Sequence, residues 1–191
     1  MPANRHDRPR SEKAAEILAI AQRLFLERGY AGTTMAAIAA EAGVASNVVH
    51  WYFASKDELF AEALEGLLTA TLKALLERGL ADATPGEEKK GLETLLTDLV
   101  WGLVQVPGLI ATVHERANQS EVVAASHERA HDLYAEYMGR AVARCDVPEE
   151  DHDLVVQALL FALEGLVMHR ASKPEAQRMI SFLVTRLTAT P

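Results

Sequence analysis

Residues 33–60 read TTMAAIAAEAGVASNVVHWYFASKDELF. Met35 to Ala42 is a short apolar run that suits a helix and stops at Gly43. A second short helix is expected from Ser46 to Phe53, after Val44 and Ala45, and a third starts at Ser55. Two helices joined by a glycine-containing turn of three or four residues form a helix-turn-helix, and in that motif the second helix enters a DNA major groove.

Helical periodicity sorts the second helix into faces. With Val49 inward, a rotation of about 100° per residue puts Phe53 beneath it, with Ser46 and Tyr52 flanking. Asn47 and Trp51 then point the opposite way, and Val48 and His50 lie at the edges. An outward tryptophan needs something to cover it. Asn can pair bidentately with adenine, and Val can touch a thymine methyl.

The whole run resembles the DNA-binding domain of the TetR family of transcriptional regulators. The matching residues are Thr33, Thr34, Ile38, Ala39, Ala42, Gly43, Val44, Tyr52, Phe53, Ser55, Lys56, Glu58 and Leu59. The likeness covers residues 11 to 65 or so. Three positions depart from the family's usual pattern. Ala45 stands where a capping Ser is common, leaving Ser46 as the expected cap. Ala36-Ala37 replaces a polar start of the preceding helix, and Tyr52 stands where His is frequent. The resemblance implies an all-α protein with an N-terminal three-helix DNA-binding domain and a C-terminal helical domain for ligand binding and dimerisation. It further implies a repressor released from its operator by a small molecule. The expected DNA-contacting set is Thr34, Ser46, Asn47, Val48, His50, Trp51, Tyr52 and Lys56.

Charge distribution fits that division. The chain of 191 residues has a formal net charge of −8. Residues 1–60 are neutral in sum, so all the excess negative charge lies beyond the motif. Arg5, Arg8 and Arg10 oppose only Asp7, and such an arm can follow a groove or phosphates. The single cysteine, Cys145, excludes an internal disulfide framework and fits a reducing cytoplasm. No signal peptide opens the chain, and the most apolar run, Leu154 to Met168, is too short to span a membrane. The expected location is cytoplasmic, with no membrane partner.

Taken in order, residues 1–10 form a flexible arm, 11–55 the DNA-binding domain and 56–191 a helical regulatory and dimerisation domain. Ser11 caps a helix to about Arg28 in which Ile17, Ile20, Ala21, Leu24 and Phe25 make one stripe, ended by Gly29. Ser55 and Glu58 form a capping box for the next helix. Lys56 opposes the dipole of that helix, which a bound phosphate would reverse. The helix continues through Leu72 and Leu75 to about Leu80, roughly 40 Å, long enough to join a head to a second domain. Thr84-Pro85-Gly86-Glu87, Asn118 with Glu121, Asp146 with Glu149 and Ser172-Lys173-Pro174-Glu175 read as further helix starts. The total is about nine helices, counting a short one after Pro107. Leu154 to Met168 is apolar nearly all round, so it is expected to be buried on every side. One side would be covered by a second copy, with Met179, Ile180, Leu183, Val184 and Leu187 as the matching stripe. A two-fold homodimer implies a pseudo-palindromic operator.

A competing motif is His127-Glu128-Arg129-Ala130-His131, which matches H-E-x-x-H. Zinc there needs a third protein ligand, which only tertiary proximity of His114 or Glu115 could supply. A helical metal-binding protein or zinc hydrolase is therefore the alternative reading; no enzyme activity, cofactor or metal is assigned. Gly139 and Gly165 read as close-packing points. Glu164 is costly to bury alone and is expected to face a pocket, pair with His169 or Arg170, or lie at a dimer seam. Helix bundles hold ligands between facing helices. The expected effector pocket is lined by Trp101, Gln105, Tyr134, Met138, Phe161 and Glu164, which suits a mostly apolar ligand with one polar or cationic end.

Overall fold

A computed structural model describes residues 10–81, 86–106 and 108–188. The expected arm up to residue 9, the Thr84-Pro85 part of one expected cap, and Pro107 lie outside the described residues. Nine α-helices and one 3-10 turn occur among the described residues, with no strand. The helices are α1 Arg10–Gly32, α2 Met35–Glu41, α3 Ser46–Tyr52, α4 Lys56–Ala81, α5 Glu88–Val104, α6 Leu109–Ala117, α7 Glu121–Val142, α8 His152–Met168 and α9 Lys173–Leu187. The 3-10 turn is Glu149–Asp151. The fold is all-α, as the sequence implies.

The chain divides into two compact units. The first comprises residues 1–67 with 115–126, and the second residues 68–114 with 127–191. In the first unit, Ile17, Ala21 and Leu24 of α1 are fully buried, together with Ile38, Val49, Leu59 and Phe60. Each large aliphatic or aromatic side chain so buried contributes about 1.5–3 kcal/mol relative to exposure. Phe25, Tyr30 and Phe60 form an edge-and-stack cluster with centroids 4.9–6.1 Å apart. Gly43 carries φ +63 in the turn between α2 and α3, a conformation that glycine adopts without strain.

Helix α1 does not end cleanly at Gly29. Its backbone breaks there, with φ 70 and ψ 173, and a further turn reaches Gly32. The break leaves carbonyls without helical partners, and a side chain serves them. Thr33 is fully buried and its hydroxyl donates to the carbonyls of Leu24 and Gly29, at 3.1 and 2.9 Å. The Arg23 guanidinium also pairs with Glu27 within α1 and with Glu41 at the end of α2.

The second unit has one core, built from Leu92, Leu95, Leu96, Leu99 and Val100 of α5, with Met138 and Val142 of α7. Val155, Val156, Leu159, Leu163 and Val167 of α8 and Ala176, Ile180 and Val184 of α9 complete it. Helix α9 opens with the expected capping box, Ser172 with Glu175, and with proline in its first turn. The Ser181 hydroxyl donates to Glu93 at 3.1 Å, which fixes α9 on α5.

In the single chain one side of α8 is open: Leu154 and Phe161 are 67% and 68% exposed, and Met168 is also open. Met179 and Phe182 of α9 are exposed too, whereas Ile180 and Val184 point into the core. Apolar residues all round a helix say only that both faces avoid water. They do not say that one chain covers both. No single helix among the described residues is long and apolar enough to cross a membrane.

Candidate functional site

The outward face of α3 is as periodicity demands. Val49 is fully buried and Phe53 nearly so, while Asn47, His50 and Trp51 are exposed and Val48 and Tyr52 half-buried. Trp51 is 60% exposed and meets Tyr52 edge-on, with centroids 4.8 Å apart. Ser46 is exposed rather than turned inward, because it is the first helical residue. The cap is Ala45, which makes no side-chain hydrogen bond. The hydroxyl is therefore not spent on capping. Thr34 caps α2 instead, accepting from the Ala37 amide at 3.1 Å, and stays exposed.

Helix α4 is started by Ser55, whose hydroxyl accepts from the Glu58 amide at 3.0 Å. The Glu58 carboxylate accepts in turn from the Ala54 amide, one residue upstream of the cap. Lys56 has a task that its sequence position hides. Its ammonium donates to the carbonyls of Tyr30 and Thr33, at 3.0 and 3.1 Å, and lies 3.9 Å from the centre of the Tyr30 ring. Those carbonyls close the end of α1, where a cation is favoured. The unfavourable placement at the start of α4 is thus offset by a favourable one at the end of α1. Desolvation holds the Lys56 ammonium below the usual lysine range.

The neighbouring residue is anchored more strongly. Asp57 takes two bonds from Arg116, from Nε at 3.2 Å and from the terminal nitrogen at 2.7 Å. The Tyr30 hydroxyl also donates to it. Burial pushes the Asp57 carboxyl up, but hydrogen bonds from Arg116, Tyr30 and Ser120 outweigh that and hold it below its usual value. Burial, and then the bond to Asp57, push Tyr30 up to about 12. Arg116 went unremarked in the sequence because its partner lies 59 positions away and no local pattern links them.

The six residues expected around an effector lie in different surroundings. Phe161 faces outward, Met138 lies in the core, and Tyr134 packs half-buried against that core. Trp101 is partly exposed, with the Lys173 ammonium 5.5 Å from its ring centre, and Gln105 is exposed. A cavity of about 140 Å³ lies among Leu103, Val104, Leu109, Ile110, Val167 and Met168. Glu164 does not pair with His169 or Arg170. It meets three imidazoles: Glu164 Oε1 is 2.8 Å from His131 Nε2, 3.5 Å from His114 Nε2 and 3.9 Å from His127 Nε2. Burial, then the neighbouring His131 and His114, push His127 below the ordinary histidine value.

The helix-turn-helix geometry now has a counterpart among known sequences. Residues 17–63 match the sequence model described as bacterial regulatory proteins, tetR family. The N-terminal domain belongs to the TetR family. Two curated relatives share it. The HTH-type transcriptional regulator TtgR of Pseudomonas putida is 43% identical over 56 residues, 29% of this chain and 27% of that protein. The HTH-type transcriptional repressor KstR2 of Mycobacterium tuberculosis is 34% identical over 82 residues, 43% of this chain and 41% of that protein. The chain thus spans less than half the length of these relatives. Solved structures extend the likeness of fold to nearly the whole chain. The FadR regulator of Bacillus subtilis, in complex with stearoyl-CoA, has a TM-score of 0.64 at 16% identity, covering 92% of this chain and 97% of that one. BioQ bound to its double-stranded DNA operator has a TM-score of 0.62 at 22% identity, covering 93% and 98%.

Proposed function

We propose that this TetR-family protein is a homodimeric, sequence-specific DNA-binding transcriptional regulator, a repressor released from its operator by a small effector. The observation that carries the DNA-binding reading is the exposed Asn47-His50-Trp51 face of α3 above a fully buried Val49. An exposed, partly apolar surface on a two-turn helix is costly in water and is covered when the helix enters a groove. Ser46, Asn47, Val48, His50 and Trp51 read base edges or the adjacent sugar, while Thr34, Tyr52 and Lys56 lie toward the phosphates. BioQ, with its operator, is a relative in fold that binds DNA.

The dimer uses the outer face of α8 and α9. Leu154, Phe161 and Met168, seven residues apart on α8, and Met179 and Phe182 of α9 are all exposed large apolar side chains, which a partner surface would cover. A second copy covers them by two-fold symmetry. The operator is then pseudo-palindromic, with half-sites about 34–36 Å apart or a multiple of that. The name of KstR2 and the acyl-CoA complex of FadR support repression and an effector, respectively. Release requires only that the effector bind the DNA-incompetent arrangement more tightly, and a coupling of about 1–3 kcal/mol weakens operator binding 5- to 150-fold or so.

The experiment is selection of random duplexes by the purified chain, followed by binding of the selected sequence by Asn47→Ala and Trp51→Ala. Both variants are expected to lose specificity while keeping the wild-type circular dichroism. Retention of wild-type specificity by both contradicts the reading.

A further inference from the structure

We propose that His114, His127, His131 and Glu164 bind one divalent transition-metal ion of the zinc class. The ligands come from α6, α7 and α8 within the second unit. His127 and His131 lie one helical turn apart on α7, so both imidazoles project from one face. His114 closes from α6, with its ring 4.8 Å from that of His127 between centroids. Glu164 supplies the carboxylate from α8.

Spacing fits the ion. Tetrahedral zinc binds nitrogen and oxygen at about 2.0–2.2 Å, which separates neighbouring ligand atoms by about 3.3 Å. The three distances from Glu164 Oε1 to the imidazole nitrogens, 2.8, 3.5 and 3.9 Å, lie on either side of that value. The ligand atoms of His114, His127 and Glu164 lie within 4.8 Å of one another. His131 Nε2 joins that group through its 2.8 Å contact with Glu164 Oε1.

A plain hydrogen-bond network accounts for less. It explains His131 and Glu164, which bond at 2.8 Å. It leaves His114 Nε2 shielded from solvent with no hydrogen-bond partner, which is costly for a ring nitrogen. A metal ion satisfies that nitrogen and brings the other three ligands together.

The ligand set selects the metal. Three imidazoles and one carboxylate suit zinc and its neighbours and disfavour calcium or magnesium, which take oxygen ligands. Four protein ligands form a closed site of the structural kind. Glu128, the carboxylate of the H-E-x-x-H motif, is exposed to solvent, and Glu164 takes its place from another helix. The site thus ties α6, α7 and α8 together through residues of the second unit and is not built for hydrolysis.

This proposal does not depend on DNA binding. The test uses the full chain without an affinity tag, stripped with a chelator and dialysed. Calorimetry with zinc should show one saturable site per chain, and cobalt should give the visible absorption of a tetrahedral ion. Zinc should also raise Tm. Glu164→Gln conserves shape, and His114→Ala removes a ring that is 40% exposed, so both variants should fold by circular dichroism. Each should weaken binding at least about 100-fold, at or beyond the upper end for losing a supporting contact of a ligand. A folded wild-type chain with no saturable zinc binding and no cobalt spectrum overturns the proposal. Wild-type affinity in either variant overturns it too.

Discussion

Arg116→Ala isolates the contact that fixes the start of α4 in the first unit. Arg116 holds both oxygens of Asp57, at 3.2 and 2.7 Å, and the two side chains are 21% and 19% exposed. Hydrogen bonds to charged groups contribute about 1.5–3 kcal/mol, and breaking a fully buried ion pair costs about 3–5. Water reaches a fifth of this pair, and Tyr30 still donates to Asp57 in the variant. The expected loss is therefore about 2 kcal/mol, measured by urea unfolding at neutral pH. A double-mutant cycle with Asp57→Ala should give a coupling of about 1–2 kcal/mol, because the single variants share one lost interaction. The sign of the pH dependence follows from Asp57. Its folded pKa lies below the ordinary value of 3.8, so the pair's contribution is complete above that value. It is lost as pH falls through the folded pKa, and wild type and variant should converge in stability there. A loss under about 0.5 kcal/mol, or a gap that does not narrow in acid, refutes the reasoning.

Phe161→Glu and Phe182→Glu should yield folded monomers by analytical ultracentrifugation, since both residues are open in the single chain; a dimer that survives both changes places the interface elsewhere. Leu163 is only 5% exposed and sits in the core, so an arginine there should unfold the second unit and is no probe of assembly. Lys56→Met should cost about 1–2 kcal/mol by removing the ammonium's bonds to the Tyr30 and Thr33 carbonyls, and unchanged stability would contradict the anchoring seen here.

The helix-turn-helix was legible because local spacing encodes it. Gly43 marks the turn, and Val49 with Phe53 sets the buried side of α3, all within one short run. What the sequence concealed were partnerships between distant positions. Thr33 and Lys56 serve the broken end of α1, yet in the sequence Thr33 is only a family match and Lys56 only a cation at a helix start. His127 and His131 were visible as a pair one turn apart. Glu164 lies 33 positions from His131, and only the packing of α8 on α7 joins them. Two residues expected to line an effector pocket differ for a related reason. Phe161 and Met138 are equally apolar in sequence, but one faces outward on α8 and the other inward on α7. Hydropathy cannot separate a core face from an open one.

The central claim is that α3 reads DNA through its outward face. The most direct measurement is a footprint of the wild-type chain on a duplex it has selected, beside the same duplex with Asn47→Ala and Trp51→Ala. The account predicts two protected half-sites centred about one helical turn or a multiple of it apart, with protection lost at equal concentration in either variant. An unselective footprint, or the same protected pattern in both variants, would contradict it.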